Sequence, residues 1–574
     1  MNQSNRLRSA KWFSRIDHAG FEHRTHLKAR GHLSDMFEGR PVIGIANSAS
    51  DLVPCNAHLG QLADAVSRGV LEAGGFPLVF PTMSIGDSLM RPTGMLFRNL
   101  MSMELEELLR SNPIDGAVLL SGCDNTAPAY LMGAASVDLP TILVHGGSMI
   151  NGSFKGQTIG SGTDIIRLGN DYRVGKITKD DFVQSEAGMS RSIGHCNTIG
   201  TAATMGGLAE ALGMSLPGTS AIPAVDSRRL TTSQLAGRRI VEMVNEGLCV
   251  SDIITLDALE NAIKVNAAVG GSTNAILHLI ALAGRLELPL SMRDVDQLSK
   301  GVPLLANLQP NGDYLMEDFY LAGGMPALMN TMRTTLNADA RTVSGSSIGR
   351  NIQNADIYNN DVIRPISDPV KQDGGLAVLF GNLAPNGAVI KPSAASVALM
   401  QHRGRSIVFE NIEELEQRID SPDLEVDEKS ILVLKDAGPR GYPGMSEVGN
   451  MRIPKKLLDR GITDIIRISD GRMSGTAFGT VILHVSPEAL IGGPLSLVKE
   501  GDIIEVDVDK RRIHLEVSDV ELEKRQKSQP TREVNQSRGY TKLFTDHVLQ
   551  ADRGCDFDFL VGRSGSAVPA RKGF

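Results

Sequence analysis

The sequence is poor in aromatic residues, in cysteine and in positive charge. Aromatic side chains form 4% of the 574 residues, and the five cysteines include no CxxC pair. So few cysteines, odd in number, argue against a disulfide framework and indicate a reducing compartment, so we expect a cytoplasmic protein. The formal net charge is -8 without a long basic run, which argues against nucleic-acid binding. No apolar run is long enough to cross a bilayer, so no membrane partner is expected.

Glycine, in contrast, is abundant. The chain has 60 glycines, with 41% apolar and 22% charged residues. These proportions are typical of a globular enzyme that contains many tight turns. The length predicts two to four domains.

The first half alternates short apolar runs with helical patterns. Residues 41–46, 116–121 and 141–145 read as strands, and apolar residues recur at helical spacing between positions 59 and 70. Pro128 suits the first turn of a helix that follows the second strand. This order predicts an α/β unit with a parallel sheet and crossover helices.

The pattern changes from about residue 375. Asn386-Gly387 is a turn signal between two apolar runs, and alternating residues flank Asp509-Lys510. Proline, glycine and charge concentrate in residues 361–375, which favours a boundary there. We therefore predict an N-terminal α/β domain over residues 1–365 and a β-rich domain over residues 375–574.

Three of the five cysteines lie in similar places. Cys55, Cys123 and Cys196 each lie just before a helical stretch, where parallel sheets collect ligand sites and helix N-termini lower thiol pKa values. Three converging thiolates could hold an iron–sulfur cluster with one open iron position, but the spacing alone is a weak signal that favours three unrelated core cysteines. Cys249 and Cys555 lack this context, and we interpret them as small buried hydrophobes.

Seven motifs, in order through nearly the whole chain, carry a family resemblance. They are PCNAHL around Cys55, GCDNTAPA around Cys123, GHCNTIGTAATM around Cys196, VGGSTNAILHL from Val269, NLAPNGAVIKPSA from Asn382, YPGMSEVGNM from Tyr442 and SDGRMSGTAFG from Ser469. The sequence resembles the dehydratases that act on dihydroxy acids, 6-phosphogluconate and sugar acids (aldonates). RPTGMLFRNL after Met90 and HRGRSIVFE after Gln401 are similar to the sugar-acid, pentonate-type branch.

The resemblance implies a fold and an activity. The expected fold is an N-terminal α/β domain plus a C-terminal β-barrel-like domain with flanking helices, with the active site in the cleft between them. The expected reaction converts an aldonate, here a pentonate, to its 2-keto-3-deoxy acid. By family analogy the enzyme is a homodimer or homotetramer.

The resemblance also implies cofactors and residue roles. A 2Fe-2S cluster would act as the Lewis acid for the C3 hydroxyl, and Mg²⁺ would hold the substrate carboxylate and C2 oxygen. A serine would accept the C2 proton, and it would have to act as an alkoxide because a free hydroxyl is a very weak base. The implied residues are Cys55, Cys123 and Cys196 for the cluster, Asp87, Asp124 and Glu447 for Mg²⁺, Ser474 as base and Thr476 as a substrate contact.

Position 125 departs from the family pattern. The family usually has a lysine there, carbamylated so that its carboxylate reaches the metal, whereas this chain has Asn125. Glu447 also lies in PGMSE, where the family more often reads PGMPE. Either Asn125, as a further Mg²⁺ ligand, or a water fills the gap and Mg²⁺ binds more weakly, or the site has lost the metal.

Three hypotheses therefore remain open. The chain is an active sugar-acid dehydratase with an altered Mg²⁺ site, or a member of the same family with a different hydroxy-acid substrate or metal. The third hypothesis is a binding protein that keeps the fold without catalysis.

Overall fold

The structure, a computed structural model, describes residues 7–530, 532, 536–565, 567 and 568. It contains a parallel sheet in the first half and a larger barrel-like sheet in the second, which confirms the predicted fold class. The strands are β1 Val42–Asn47, β2 Phe76–Pro81, β3 Gly116–Ser121, β4 Thr141–His145, β5 Gly152–Phe154, β6 Gln157–Ile159, β7 Ala377–Leu379, β8 Gly387–Ile390, β9 Gln401–Phe409, β10 Ile431–Leu434, β11 Arg467–Ser469, β12 Val481–Ser486, β13 Ile503–Asp507 and β14 Arg512–Leu515.

The first sheet has the order β2-β1-β3-β4 with all neighbours parallel. β3 and β4 coincide with the predicted strands, and β1 lies one residue later than predicted. Our sequence reading missed β2, whose sequence FPLVFP contains Pro77 and Pro81. Proline lacks the N–H that a central strand needs, but β2 is an edge strand, where proline is tolerated.

Helices that follow the cysteine loops form a buried platform. Every residue of α8 is buried, as is every residue of α5 except the last. Both are rich in alanine and glycine, and a helix that is apolar all round belongs in a core. The helices are α1 Ala10–Phe13, α2 His18–Lys28, α3 Leu59–Glu72, α4 Arg98–Ser111, α5 Thr126–Val137, α6 Thr163–Arg173, α7 Lys179–Met189, α8 Thr201–Ala211, α9 Ser227–Glu246, α10 Val250–Ile253, α11 Leu256–Val269, α12 Asn274–Arg285, α13 Met292–Ser299, α14 Met316–Leu321, α15 Gly324–Thr331, α16 Ile348–Ile352, α17 Ile412–Arg418, α18 Lys455–Leu458, α19 Asp519–Ser528 and α20 Gly539–His547.

The second sheet has eight strands in the order β14-β13-β9-β10-β11-β12-β8-β7. The predicted hairpins β7–β8 and β13–β14 are confirmed as antiparallel pairs. The two edges of the sheet meet at Phe380, whose N–H donates to the Arg511 carbonyl at 2.9 Å and whose carbonyl accepts from the Ile513 N–H at 3.0 Å. This bridge closes the sheet into a barrel around an apolar core.

The end of the chain returns to the first half. Phe544 and Phe557 pack in one apolar cluster with Met95, Leu96 and Leu277. Arg285 on α12 forms a buried two-point ion pair with Asp556, at 2.6 and 3.0 Å. The division at residues 365 to 375 stays a prediction. Across the described ranges, no helix combines the length and apolar character that a membrane span requires.

Candidate active site

Two cysteine loops meet at the carboxyl-terminal edge of the parallel sheet. Cys55 lies in a single 3-10 turn between β1 and α3, and Cys123 lies between β3 and α5. Gly122 explains how closely the loops approach, because a Cβ atom there would lie 2.5 Å from the carbonyl oxygen of Cys55. Any larger residue would push the two thiols apart.

The thiols interact with one another and with nearby acids. Hydrogen bonding with Cys123 lowers the pKa of Cys55, and hydrogen bonding with Cys55, together with burial, raises the pKa of Cys123 well above its ordinary value. Burial raises the pKa of Cys196 to about 12, and the charges of Cys55 and Asp124 add to the effect. The three sulfurs do not all lie within 4.8 Å of one another. The structure thus pairs two thiols and places the third nearby.

Three predicted carboxylates converge beside these thiols. One oxygen each of Asp87, Asp124 and Glu447 lies within 4.8 Å of the others. Burial, followed by the charges of Glu447 and Asp87, raises the pKa of Asp124 well above its ordinary value, and burial raises that of Glu447 to about 7. The side chain of Glu447 remains 18% exposed, so the cluster lies in a pocket rather than in a sealed core.

Asp87 and its neighbour Asn125 are fixed by short contacts. Thr93 Oγ1 donates to Asp87 Oδ1 at 2.6 Å, and the Gly94 N–H donates to the same oxygen. Asn125 lies at the start of α5, and its Nδ2 donates to Asp87 Oδ2 at 2.7 Å. Asn125 Oδ1 is buried without a hydrogen-bond partner among the described residues. The amide therefore orients one metal-ligand candidate and keeps its own oxygen free to accept.

Glu447 is held by residues of both halves. Asn274 Nδ2, at the start of α12, donates to Glu447 Oε1 at 2.8 Å, and the Arg472 guanidinium lies 3.3 Å from the same oxygen. Asn274 Nδ2 also lies 3.2 Å from Thr201 Oγ1 at the start of α8 and 3.1 Å from the Met473 carbonyl. Sequence reasoning missed Asn274 and Arg472, although both lie inside quoted motifs. A polar residue at the start of an apolar run, as Asn274 is before AILHLIALA, is a signal that could have identified Asn274, whereas Arg472 in SDGRMSG has no such signal.

The Ser474 loop of the barrel inserts between two helix N-termini. Ser474 Oγ and Thr476 Oγ1 share a hydrogen bond of 2.9 Å in which either hydroxyl can donate, and the Thr476 N–H lies 3.4 Å from Ser474 Oγ. Thr163 Oγ1, at the start of α6, donates to the Thr476 carbonyl at 2.9 Å. A Cβ atom at Gly475 would lie 2.7 Å from the backbone nitrogen of Thr201. The loop therefore reaches the helix that follows Cys196.

Of the two cysteines outside the site, Cys555 is a buried core residue as predicted, and Cys249 is not. Cys555 is 1% exposed, and its sulfur lies 3.7 Å from that of Met445 in an apolar cluster. Cys249 is partly exposed at the N-cap of α10. The prediction that Cys249 is a small buried hydrophobe is therefore wrong, because the residue directly precedes a short helix and is not enclosed in a core.

Known proteins match both halves of this arrangement. The family described as dihydroxy-acid/6-phosphogluconate dehydratase matches with its N-terminal part over residues 40–351 and with its C-terminal part over residues 361–555. The chain belongs to this family. It is therefore a dehydratase, an enzyme of the hydro-lyase class, as the motifs predict.

Individual relatives of this dehydratase match nearly end to end. The chain is 52% identical to L-arabonate dehydratase of Azospirillum brasilense and 51% identical to L-arabinonate dehydratase of Rhizobium leguminosarum bv. trifolii, over 98% of each chain. It is also 45% identical to 6-deoxy-6-sulfo-D-gluconate dehydratase of Pseudomonas putida, over 98% of this chain and 97% of the relative.

Proposed function

We propose that the chain is a sugar-acid dehydratase that converts a pentonate to its 2-keto-3-deoxy acid. The substrate class rests on similarity to the two dehydratases named for arabinose-derived acids. The reaction removes the C2 proton and the C3 hydroxyl as water and leaves an enol. The enol then takes up a proton at C3 to give the keto acid, so the net change is the loss of one water.

The converging carboxylates carry this proposal. Mg²⁺ prefers oxygen ligands, and Asp87, Asp124 and Glu447 supply three oxygens within 4.8 Å of one another. The raised pKa values of Asp124 and Glu447 also fit the site, because a bound cation offsets the burial and the mutual repulsion that raise them. Asn125 Oδ1 is a candidate for a fourth oxygen ligand of the metal. The chemistry of Mg²⁺ at this place is to orient the acid and to acidify its C2 proton.

The thiols fit an iron–sulfur cluster. Cys55 and Cys123, as a close pair, and Cys196 beside them would hold a 2Fe-2S cluster, whose usual protein ligands are cysteine thiolates. Bound by these three thiolates, the cluster would supply a Lewis acid for the departing hydroxyl. Cys196 is held by the loop before α8, whose N-terminal end favours negative charge.

Ser474 is the proposed acceptor of the C2 proton. Its oxygen can accept a hydrogen bond from Thr476 Oγ1 at 2.9 Å, and the Thr476 N–H lies 3.4 Å away. Donors that point at an oxygen stabilise its anionic form and lower its pKa. The nearby N-terminus of α8 contributes in the same sense, since its dipole favours negative charge. We assign substrate contact to Thr476 together with this supporting role.

Anaerobic reconstitution with iron and sulfide, followed by a panel of aldonates, tests the proposal. We expect formation of a 2-keto-3-deoxy acid from at least one pentonate, detected as a semicarbazone, and no product when Mg²⁺ is removed by a chelator. Absence of turnover for every aldonate, with the cluster and Mg²⁺ shown to be bound, contradicts the proposed activity.

Cys123→Ser and Cys249→Ser form a matched pair for the cluster assignment. Cys123 lies at the site, whereas Cys249 lies on the N-cap of α10. We expect Cys123→Ser to lose most of its bound iron and Cys249→Ser to keep the wild-type iron content per chain. Light scattering of the same samples tests the expected homodimer or homotetramer.

A further inference from the structure

Lys391 is a buried amine without a partner. The residue is 1% exposed, and its Nζ has no hydrogen-bond partner anywhere in the described part of the chain. Burial lowers its pKa to about 7, and no neighbouring charge contributes to the change. A buried polar group that lacks a partner is costly. The described residues therefore leave this amine with its hydrogen-bonding capacity unused.

The strand register shows which face of the barrel carries Lys391. β8 and β12 pair antiparallel, with Val389 opposite Leu483 and Ile390 opposite Ile482. Ile390 and Ile482 point into the barrel core, whereas Val389 and Leu483 belong to clusters on the other face. Side chains alternate along an extended strand. Lys391, two residues after Val389, therefore emerges on the outer face.

That outer face is the one that bears the Ser474 loop. Lys391 directly follows the last residue of β8, and Val481, which directly precedes Ile482 on β12, packs with Leu483, Met473 and Ala477 in one cluster. Met473 and Ala477 flank the candidate catalytic serine in sequence. Lys391 and the loop therefore share a surface of the barrel.

Two backbone contacts tie the Lys391 segment to the end of the same loop. The Gly479 N–H donates to the Ala394 carbonyl at 2.8 Å, and the Ser396 N–H donates to Thr480 Oγ1 at 3.2 Å. Ser393 Oγ also donates to Asn311 Oδ1 at 3.0 Å, so the segment is held on both sides. The position of Lys391 is thus fixed relative to the loop.

We propose that Lys391 is a specificity-determining residue that hydrogen-bonds a hydroxyl of the sugar acid beyond the two reacting carbons. The inference rests on the proposed function. In the proposed reaction Mg²⁺ at the acidic cluster would hold the carboxylate, and Ser474 faces C2, so the hydroxyls beyond C3 are the part of the substrate left to meet Lys391. An uncharged amine can both donate a hydrogen bond to a hydroxyl and accept one from it. A site built to bind a hydroxyl strongly rejects an analogue that lacks it.

Lys391→Met, which keeps the length and removes the amine, tests the proposal on two substrates. One is the pentonate, and the other is 2,3-dihydroxypropanoate, which has the reacting carbons and no further hydroxyls. We expect kcat/KM for the pentonate to fall about 100-fold, mainly through KM. For the short acid we expect no change in kcat/KM, or in its inhibition constant if it is not turned over.

Lys371→Met is the matched control. Lys371 is half-buried on the neighbouring linker, and its Nζ donates to the Ser393 carbonyl at 2.7 Å. We expect this variant to affect both acids by the same factor, if it affects either. Circular dichroism and the melting temperature verify that each variant is folded.

The outcomes separate the two proposals. Equal loss for both acids in Lys391→Met, or no loss for the pentonate, overturns the role of Lys391 and leaves the dehydratase intact. If Lys391→Met does not fold, Lys391→Gln replaces it under the same criteria. Failure of the wild-type enzyme to turn over any sugar acid overturns the proposed function, and the role of Lys391 with it.

Discussion

Replacing Lys391 with methionine has a pH-dependent effect on stability that follows from its burial. The ordinary lysine pKa is 10.5, and burial lowers it to about 7 in the folded chain. The folded state therefore releases this proton at a lower pH than the unfolded state. Below about pH 7 the full cost of burying the ammonium is present. As the pH rises from about 7 to about 10.5, that cost disappears and the wild type gains stability relative to Lys391→Met.

The size of the effect follows from the two pKa values. The difference between 10.5 and about 7 corresponds to about 5 kcal/mol. Because the side chain is 1% exposed, solvent screening does not reduce this value appreciably. Substrate-free Lys391→Met is therefore expected to be more stable than the wild type by about 5 kcal/mol at pH 7 and below. Roughly 3 kcal/mol of this advantage disappears by about pH 9.5.

Urea unfolding of both proteins across that pH range measures the difference. Circular dichroism is the suitable signal, because the single tryptophan, Trp12, lies near the N-terminus and not in the barrel. Lys371→Met provides the comparison for the loss of a less buried amine. If the difference between the urea midpoints of the two proteins stays constant from about pH 7 to about pH 9.5, the reasoning is refuted. In that case a partner already satisfies the amine.

Three further predictions concern the site and its support. Ser474→Ala is expected to lower kcat about 10³-fold while the affinity for Mg²⁺, measured by calorimetry, is kept; a loss below tenfold rules out Ser474 as the base. In Asn125→Lys, bicarbonate is expected to raise Mg²⁺ affinity by forming a carbamate, whereas it leaves the wild type unchanged; a bicarbonate effect on the wild type contradicts the assignment of Asn125. Asp556→Asn leaves the guanidinium of Arg285 buried without its counter-charge and should cost about 3 to 5 kcal/mol. Denaturant unfolding of Asp556→Asn checks the last value, and unchanged stability contradicts it.

The sequence predicts those parts of the fold that depend on local patterns. β3 and β4 lie where apolar runs place them, and both hairpins of the barrel follow turn signals. β2 escaped prediction because its prolines are compatible only with an edge position, and an edge is a property of the whole sheet. Closure of the barrel at Phe380 likewise depends on a pairing between distant segments. Neither feature has a local signal.

The candidate site divides in the same way. Motif resemblance predicts the thiols, the three carboxylates and the Ser474 loop as site residues, because each lies in a short segment that matches the family pattern. It did not identify Asn274 as the residue that joins Glu447, Thr201 and the Met473 carbonyl. The three partners lie in three separate motifs, each different from the motif that contains Asn274. The contacts with Glu447 and with the Met473 carbonyl exist only after the two halves of the chain dock.

The contacts that dock the halves constrain the site as strongly as its own residues do. Arg98, on the first half, donates to the carbonyls of Gly554 and Cys555 at 2.9 and 2.8 Å, and Arg285 holds Asp556 nearby. The end of the chain is therefore fastened to the half that carries the thiols, while the barrel carries Ser474. The folded protein loses much stability when the acceptors of a buried guanidinium move away. These contacts therefore permit little sliding between the halves. In the proposed reaction Ser474 faces a substrate bound beside the thiols and Asp87 of the first half, so the return of the chain end helps to fix the distance on which proton removal would depend.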